Sequence, residues 1–277
     1  MRTFANYSEP FSCECRAYGR LQEAGYEDLA IRCFGYLLLD EEHERTMMNQ
    51  FGDLELDFNG NMDYPGYQNM RSRFPGKDGK DPPIRGIVKE FGQCDEDLTT
   101  LRARKLLRDI IGLQQLGIIN IDVAHRQVIS GKLSDLSTVI TLPHFLTNPN
   151  LNLNLHPSQI AAMEFETFQL SSYDYWCFDD MVQEWNKENN GKIAVYAFPG
   201  GDGCHTKYNL RSRPPWRFYT LVDPRRVGEG ISKKRKRARW YFNCGPKAAA
   251  TLNYKSGFSS LHDWEFKDGY IYPLRRY

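Results

Sequence analysis

The chain has 277 residues, of which 41% are hydrophobic, so it can bury a substantial core in one large domain or in two smaller ones. Its 36 Lys and Arg residues exceed its 35 Asp and Glu residues by one, which excludes a global electrostatic field directed at nucleic acids or membranes. The seven cysteines are odd in number and spread along the chain, which argues against a disulfide framework and favours a reducing compartment. No window reaches the ~18 apolar residues of a membrane-spanning helix. We therefore expect a soluble protein of the nucleus or cytoplasm.

The first third of the chain predicts a helix and two strands around a long insertion. Residues 11–25 predict a helix that ends at a glycine, and residues 29–39 predict a strand because they are apolar and β-prone. Residues 40–83 are acidic at first and then rich in Asn, Gly, Pro and Met. We interpret them as an insertion that begins with a short helix at 41–50. A second strand is expected at 84–91.

The clearest helix of the sequence lies at residues 98–116. Apolar residues recur there at the three-to-four spacing of one helix face, and basic residues lie largely opposite. The apolar positions are Leu98, Leu101, Leu106, Ile110, Leu113 and Leu116. A helix with such a face packs against a core, so it fixes the start of the loop that follows it.

The segment at 117–137, GIINIDVAHRQVISGKLSDLS, directly follows this helix and carries two aspartates. Asp122 lies in a predicted loop, and Asp135 comes thirteen residues later. Between them, Ser130 and Gly131 separate two short apolar runs, which predicts a tight β-hairpin. A kinase needs one aspartate to accept the proton of the attacking hydroxyl and another to hold the metal on the nucleotide phosphates. The alternative is that both aspartates cap turns on an ordinary surface.

The C-terminal half predicts two helices, at 159–170 and 173–189, and then a strand at 192–198. A dense charge run follows at 233–239, and its basic residues are Lys233, Lys234, Arg235, Lys236, Arg237 and Arg239. We interpret this run as a nuclear-import signal or a contact to nucleic-acid phosphates, with a solvated loop as the alternative. The alternating aromatic and charged residues of the tail, 262–277, predict a terminal strand.

Several short motifs occur in an order that resembles one known family. They are ECRAYGRL at 14–21, GYLLL at 35–39, VKEF at 88–91, GIINID at 117–122 and GKLSDLS at 131–137. Together they resemble the fungal kinetochore Sim4-complex subunit family of the Fta type, many members of which carry a protein-kinase-like domain. The resemblance implies an α+β, protein-kinase-like fold with a truncated N-terminal lobe of few strands and a mainly helical C-terminal lobe.

The resemblance also implies a division of the chain into two lobes. Residues 1–92 are expected to form the curtailed N-terminal lobe, which contains the insertion at 40–83. Residues 93–277 are expected to form the C-terminal lobe, with a basic and aromatic-rich extension at its end.

Residue by residue, the resemblance assigns roles to the two aspartates and to their neighbours. Asp122 takes the position of the catalytic base, and Asp135 takes that of the metal-binding aspartate. Gln127 stands where a metal-binding asparagine is expected, and its extra methylene suits octahedral magnesium poorly. Glu14 takes the position of the helix glutamate that pairs with the nucleotide-binding lysine. The hinge position beneath an adenine falls to Val88, Glu90 and Phe91.

Other parts of a kinase are missing from the sequence. No Gly-x-Gly precedes Glu14, the first lysine is Lys77, and Ser137 replaces the glycine of the second aspartate motif. We therefore expect a degenerate kinase-like protein that acts as a binding or scaffold module rather than as an enzyme. It is expected to have a protein partner, to associate with the nucleus or kinetochore, and to need no cofactor.

Two alternatives remain open. The first is an active atypical kinase that uses Asp122 and Asp135 with ATP and magnesium. The second is a nucleic-acid-associated protein that acts through the basic run at 233–239. Nucleotide binding with magnesium would support the first alternative, and salt-dependent binding to DNA or RNA would support the second.

Overall fold

The computed structural model describes residues 7, 9–52, 84–93, 97–152, 157–197, 224–225, 264–267 and 270–273. The described helices are α1 (Pro10–Ala24), α2 (Glu41–Phe51), α3 (Thr100–Gln115) and α4 (Pro157–Glu188). The described strands are β1 (Cys33–Leu39), β2 (Ile84–Lys89), β3 (Ile118–Ile119), β4 (Val128–Ile129), β5 (Lys132–Leu133), β6 (Ile140–Thr141), β7 (Trp264–Lys267) and β8 (Tyr270–Pro273). This content is mixed α and β with small sheets, as expected, and the likeness to a protein kinase stays a prediction.

The chain forms two compact units, and each is described by itself. The larger unit contains residues 1–31 and 92–277, and the smaller unit contains residues 32–91. The assignment of two kinase-like lobes stays a prediction.

The smaller unit is built on an antiparallel pair of strands, β1 and β2. Their register places Tyr36 opposite Ile87 and Leu38 opposite Arg85. The helix α2 follows β1 directly, and its first turn is capped by Asp40, whose side chain accepts from the amides of Glu42 and His43. The predictions of both strands and of the short helix are confirmed. The first strand, however, begins at Cys33 instead of residue 29, because a short 3₁₀ turn precedes it.

In the larger unit, α1 begins and ends where its sequence supplies caps. The Glu9 side chain accepts from the amide of Ser12 at 2.8 Å, and Pro10 fits the first turn because no helix partner is lost there. The helix ends at Gly25, which adopts a left-handed conformation with φ 69°. Two arginines of α1 bind carbonyls at the end of β6. Arg16 donates to the carbonyl of Thr141, and Arg20 donates to the carbonyl of Leu142, the residue after the strand.

The helix α3 supplies much of the core of the larger unit. The Thr99 side chain caps its first turn, and the buried face includes Leu106, Ile110 and Leu113. Leu101, which we expected on the buried face, is 75% exposed. The other five predicted positions are buried, so Leu101 alone departs from the pattern. After α3, the strands β3 and β6 pair antiparallel, so the segment between them begins and ends at the same small sheet.

The helix α4 is continuous, whereas the sequence predicted two helices separated near residue 171. No Gly or Pro interrupts this region, and two hydroxyls that favour helix ends are satisfied inside the helix. Thr167 donates to the Met163 carbonyl and Ser171 donates to the Thr167 carbonyl, each at 2.7 Å. The prediction of a break was wrong because these hydroxyls bond back to the preceding turn.

The strand predicted at 192–198 is also wrong for its described residues, 192–197, which are irregular. Side chains of α4 satisfy this backbone in place of a neighbouring strand. The Asn186 amide bonds to both the N–H and the carbonyl of Ile193, each at 2.9 Å, and Asp179 accepts from the amide of Ala197. The tail prediction is confirmed and extended, because β7 and β8 pair antiparallel.

Within the described ranges, α4 and the shorter helices all lack a stretch that is both long enough and apolar enough to cross a membrane.

Two leucines of α3 provide a direct test of this packing. Leu106 is 1% exposed and Leu101 is 75% exposed. Leu106→Ala should lower the free energy of unfolding by about 2–5 kcal/mol, because it removes buried methyl groups and leaves a cavity. Leu101→Ala is the matched control and should change it by less than about 0.5 kcal/mol. Urea unfolding monitored by circular dichroism measures both, and equal losses would contradict the packing described here.

Candidate functional site

The hairpin predicted between the two aspartates is present. The strands β4 and β5 pair Val128 with Leu133 and Ile129 with Lys132. Ser130 and Gly131 have φ values of 51° and 71°, and positive values at both positions are what a two-residue hairpin turn requires. Lys105 of α3 donates to the carbonyl of Gly131 at 3.1 Å, so the turn is tied to the helix.

Both aspartates lie at the open end of this hairpin. The amide and the hydroxyl of Ser134 donate to the Gln127 carbonyl, at 2.9 and 2.8 Å. The Gln127 side chain in turn donates to Asp122 Oδ2 at 2.7 Å, and Asp135 directly follows Ser134. This chain of hydrogen bonds links the two segments that carry Asp122 and Asp135. The joint chemical role of the two carboxylates stays a hypothesis.

Asp122 is bound by two neighbours on its own loop. Arg126 donates from Nη2 to both carboxylate oxygens, at 3.1 and 3.2 Å. The Arg126 side chain is 71% exposed and that of Asp122 is 41% exposed, so solvent screens this ion pair and it adds little stability. Gln127 is buried, and its Oε1 atom has no hydrogen-bond partner among the described residues.

Asp135 and Glu14 both accept hydrogen bonds from the backbone just after the hairpin. Asp135 Oδ1 accepts from the Ser137 amide at 2.9 Å, which is the turn-capping arrangement that we considered as an alternative. Glu14 of α1 is buried, and its Oε1 accepts from the Leu136 amide at 3.0 Å. Glu14 is thus hydrogen-bonded to Leu136, the residue that follows Asp135.

Asp174 of α4 holds the loop on the other side of Asp122. Its carboxylate is 1% exposed and accepts from the backbone amides of Asn120 at 3.0 Å and Ile121 at 2.6 Å. The Gln114 side chain of α3 donates to the same carboxylate at 2.8 Å. Burial raises the pKa of Asp174 to about 6, since the loss of hydration outweighs these three donors.

The loop backbone that the Asp174 carboxylate binds is strained. Ile121 has φ 58°, a left-handed conformation that a β-branched residue adopts only at a cost of about 1–3 kcal/mol. The Asp174 carboxylate accepts the amide of Ile121 and so stabilises this conformation. Asp122 is the next residue, so it directly follows the backbone that Asp174 holds.

The residues assigned to the hinge belong to the smaller unit. Val88 lies on β2 opposite Gly35, the Glu90 amide donates to the Arg32 carbonyl at 2.8 Å, and Phe91 is 92% exposed. Their role beneath an adenine stays a prediction.

Two other predicted sites stay open for different reasons. The basic run at 233–239 lies outside the described residues. No group of three or more His, Cys, Asp or Glu side chains is placed to hold a metal ion in the described part of the chain. The metal-binding roles of Asp135 and Gln127 therefore stay predictions.

A family model described as kinetochore Sim4 complex subunit FTA2 matches residues 1–140. The matched region is half of the chain and contains α1, the hairpin and both aspartates. The chain belongs to the FTA2 family. The resemblance to the Sim4-complex family is therefore confirmed, and the kinase-like domain stays a prediction. Comparisons with curated proteins and with solved structures find no match.

Sequence reasoning missed Asp174, which lies outside the part matched to the FTA2 family. A signal was nevertheless present. Asp174 stands four residues before Phe178 and eight before Val182, on the apolar face of a predicted helix. Both of those residues are fully buried. A carboxylate at such a position must bind donors inside the protein, because a buried charge without partners is very costly.

The raised pKa of Asp174 makes stability depend on pH in a specific direction. Between about pH 4 and pH 6, Asp174 retains a proton in the folded chain and releases it in the unfolded chain. The free energy of unfolding should therefore fall as pH rises. Asp174→Asn removes this titration. Over this pH range the free energy of unfolding of the variant should therefore fall less than that of wild type, by on the order of 3 kcal/mol. Urea unfolding at a series of pH values measures it. Exposed Asp97→Asn is the control, and identical profiles for wild type and Asp174→Asn would contradict the assignment.

Proposed function

We propose that this chain is a kinase-like subunit of a kinetochore complex that acts as a binding or scaffold module and transfers no phosphate. Membership of the family described as a kinetochore Sim4 complex subunit supports the association with other kinetochore proteins and with the nucleus. The absence of phosphoryl transfer rests on the chemistry of three carboxylates, at Glu14, Asp122 and Asp135.

The observation that carries the proposal is that each of these carboxylates binds a group of the chain itself. Glu14 accepts from the Leu136 amide, Asp135 accepts from the Ser137 amide, and Asp122 accepts from Gln127 and Arg126. Hydrogen bonds and turn capping account for all three as parts of the fold. Phosphoryl transfer instead needs carboxylates that are directed at a metal and at a nucleophile.

The order of contacts around the hairpin supports a kinase-like origin. A helix glutamate, Glu14, binds the backbone directly after the second aspartate, Asp135. The first aspartate, Asp122, follows a loop that a buried carboxylate, Asp174, holds by two amides. A kinase places its helix glutamate, its catalytic aspartate and its metal aspartate around one site, and these contacts are compatible with such a plan.

One observation favours the alternative of an active atypical kinase. Gln127 Oε1 is buried without a hydrogen-bond partner in the described region, and an amide oxygen is a ligand that magnesium accepts. If ATP and magnesium bind, Asp135 and Gln127 are the residues that would hold the metal, and the metal would neutralise charge on the phosphates. The other Gln127 group, Nε2, donates to Asp122 and fixes the side chain.

The surface of the smaller unit supports a binding role. Tyr36 and Leu38 alternate along the regular part of β1 and so share one face of the strand, and Phe34 lies at the register shift just before them. Tyr36 is 64% exposed, Leu38 is 57% exposed and Phe34 is 60% exposed. Large apolar side chains grouped on a surface in this way are typical of protein-interaction sites. The nucleic-acid alternative depends on the run at 233–239 and stays a prediction.

An assay with radiolabelled ATP tests the proposed absence of phosphoryl transfer. Wild-type protein, Asp122→Asn and Asp135→Asn should incorporate the same background label with magnesium present, because neither carboxylate serves chemistry. Losing one preorganised electrostatic contact commonly costs about 10²- to 10³-fold in rate, so an active enzyme would separate clearly from both variants. Incorporation by wild type that far exceeds both variants would overturn the proposal. A thermal-shift scan with ATP, with and without magnesium, checks nucleotide binding independently.

A further inference from the structure

A cavity of about 410 Å³ opens beside Asp122, between the loop at residues 122–126 and one side of α4. All of its lining residues belong to the larger unit. Eight α4 residues line it, and two of them, Cys177 and Met181, contain sulfur. Three are acidic, and three are aromatic: Asp180, Glu184, Glu188, Tyr173, Trp176 and Trp185.

The acidic side chains form one row along α4. Asp180, Glu184 and Glu188 are four residues apart, so they are neighbours on the helix surface. Like charges at this spacing destabilise an isolated helix by about 0.2–0.5 kcal/mol per pair. None of the three forms an ion pair within the described ranges, and burial raises the pKa of the Asp180 carboxyl. The row is therefore an uncompensated negative surface that favours a cation.

The arginine that lines the cavity pairs with the loop aspartate. Arg126 lines the cavity, but its guanidinium donates to both oxygens of Asp122. Asp122 is thus matched by Arg126, and the three carboxylates of the α4 row line the cavity beside this pair.

The aromatic side chains determine which cation fits. The rings of Tyr173 and Trp176 are nearly parallel, with 19° between their planes and 6.1 Å between their centroids. A cation is attracted to the face of such rings, and a planar guanidinium also stacks on them while it donates to a carboxylate with two N–H groups. Magnesium and calcium require several oxygen ligands that converge on one point. Over the residues that the structure describes, no three His, Cys, Asp or Glu side chains are placed to hold a metal ion, so the carboxylates of this cavity are not arranged for one.

We propose that this cavity binds an arginine side chain from a segment of a partner protein. Its volume lies within the range of about 300–1,000 Å³ that is typical of ligand sites, so it holds the side chain and some adjoining backbone. The guanidinium stacks on Trp176 and pairs with Asp180 and Glu184. This inference rests on the proposed binding role and names the chemistry of the partner.

Fluorescence polarisation with the full chain tests the proposal. The probe is a short fluorescein-labelled Gly/Ser peptide that carries arginine, compared with peptides in which lysine or citrulline replaces it. Asp180→Asn combined with Glu184→Gln should weaken binding by about tenfold to a hundredfold, as expected when hydrogen bonds to charged groups are lost. Trp176→Leu should weaken it by about twofold to fivefold through loss of the aromatic face.

A matched variant separates the site from overall charge. Glu27→Gln combined with Asp28→Asn removes the same charge from exposed residues outside the cavity lining and should leave binding unchanged. Absence of binding by wild type, equal weakening by both double variants, or equal binding of the arginine, lysine and citrulline peptides would overturn the proposal. Thermal melting checks that each variant is folded. The ATP assay is independent, so failure of the cavity proposal is distinguishable from failure of the proposed lack of phosphoryl transfer.

Discussion

The buried carboxylate of Asp174 is the interaction on which the candidate site depends. It accepts two backbone amides from the loop before Asp122 and one side-chain amide from α3, so it joins α4, α3 and the loop. The cost of burial is visible in its pKa, which is raised to about 6. In exchange, Asp174 stabilises the loop at Ile121, where the backbone adopts a left-handed conformation that is unfavourable without such a partner.

A second buried carboxylate binds the backbone that follows the hairpin in the chain. Glu14 of α1 binds the amide of Leu136, while the Lys105 ammonium holds the turn of the hairpin against α3. The hairpin is thus fixed at its turn and beyond its open end by polar contacts. A hairpin held in this way keeps a constant shape, which agrees with the binding role that we propose.

The sequence predicted those parts whose causes are local. The hairpin follows from the Ser130 and Gly131 pair between two short apolar runs, because glycine adopts positive φ readily. The extent of α3 follows from its periodic apolar face. The continuity of α4 was missed because Ser171 bonds to its own preceding turn. The partners of Glu14 and Asp174 lie more than fifty residues away in the chain, and a single sequence carries no direct record of such contacts.

Hydrogen exchange at single amides tests most directly whether buried carboxylates hold this unit together for structure. Exchange at Asn120 and Ile121 should be slow in the wild-type protein and fast in Asp174→Ala, and exchange at Leu136 should be slow in the wild-type protein and fast in Glu14→Gln. Addition of ATP with magnesium should leave these rates and those around Asp122 and Asp135 unchanged. Fast exchange at the three amides of the wild-type protein would contradict the account. So would protection of the Asp122 and Asp135 segments by ATP with magnesium.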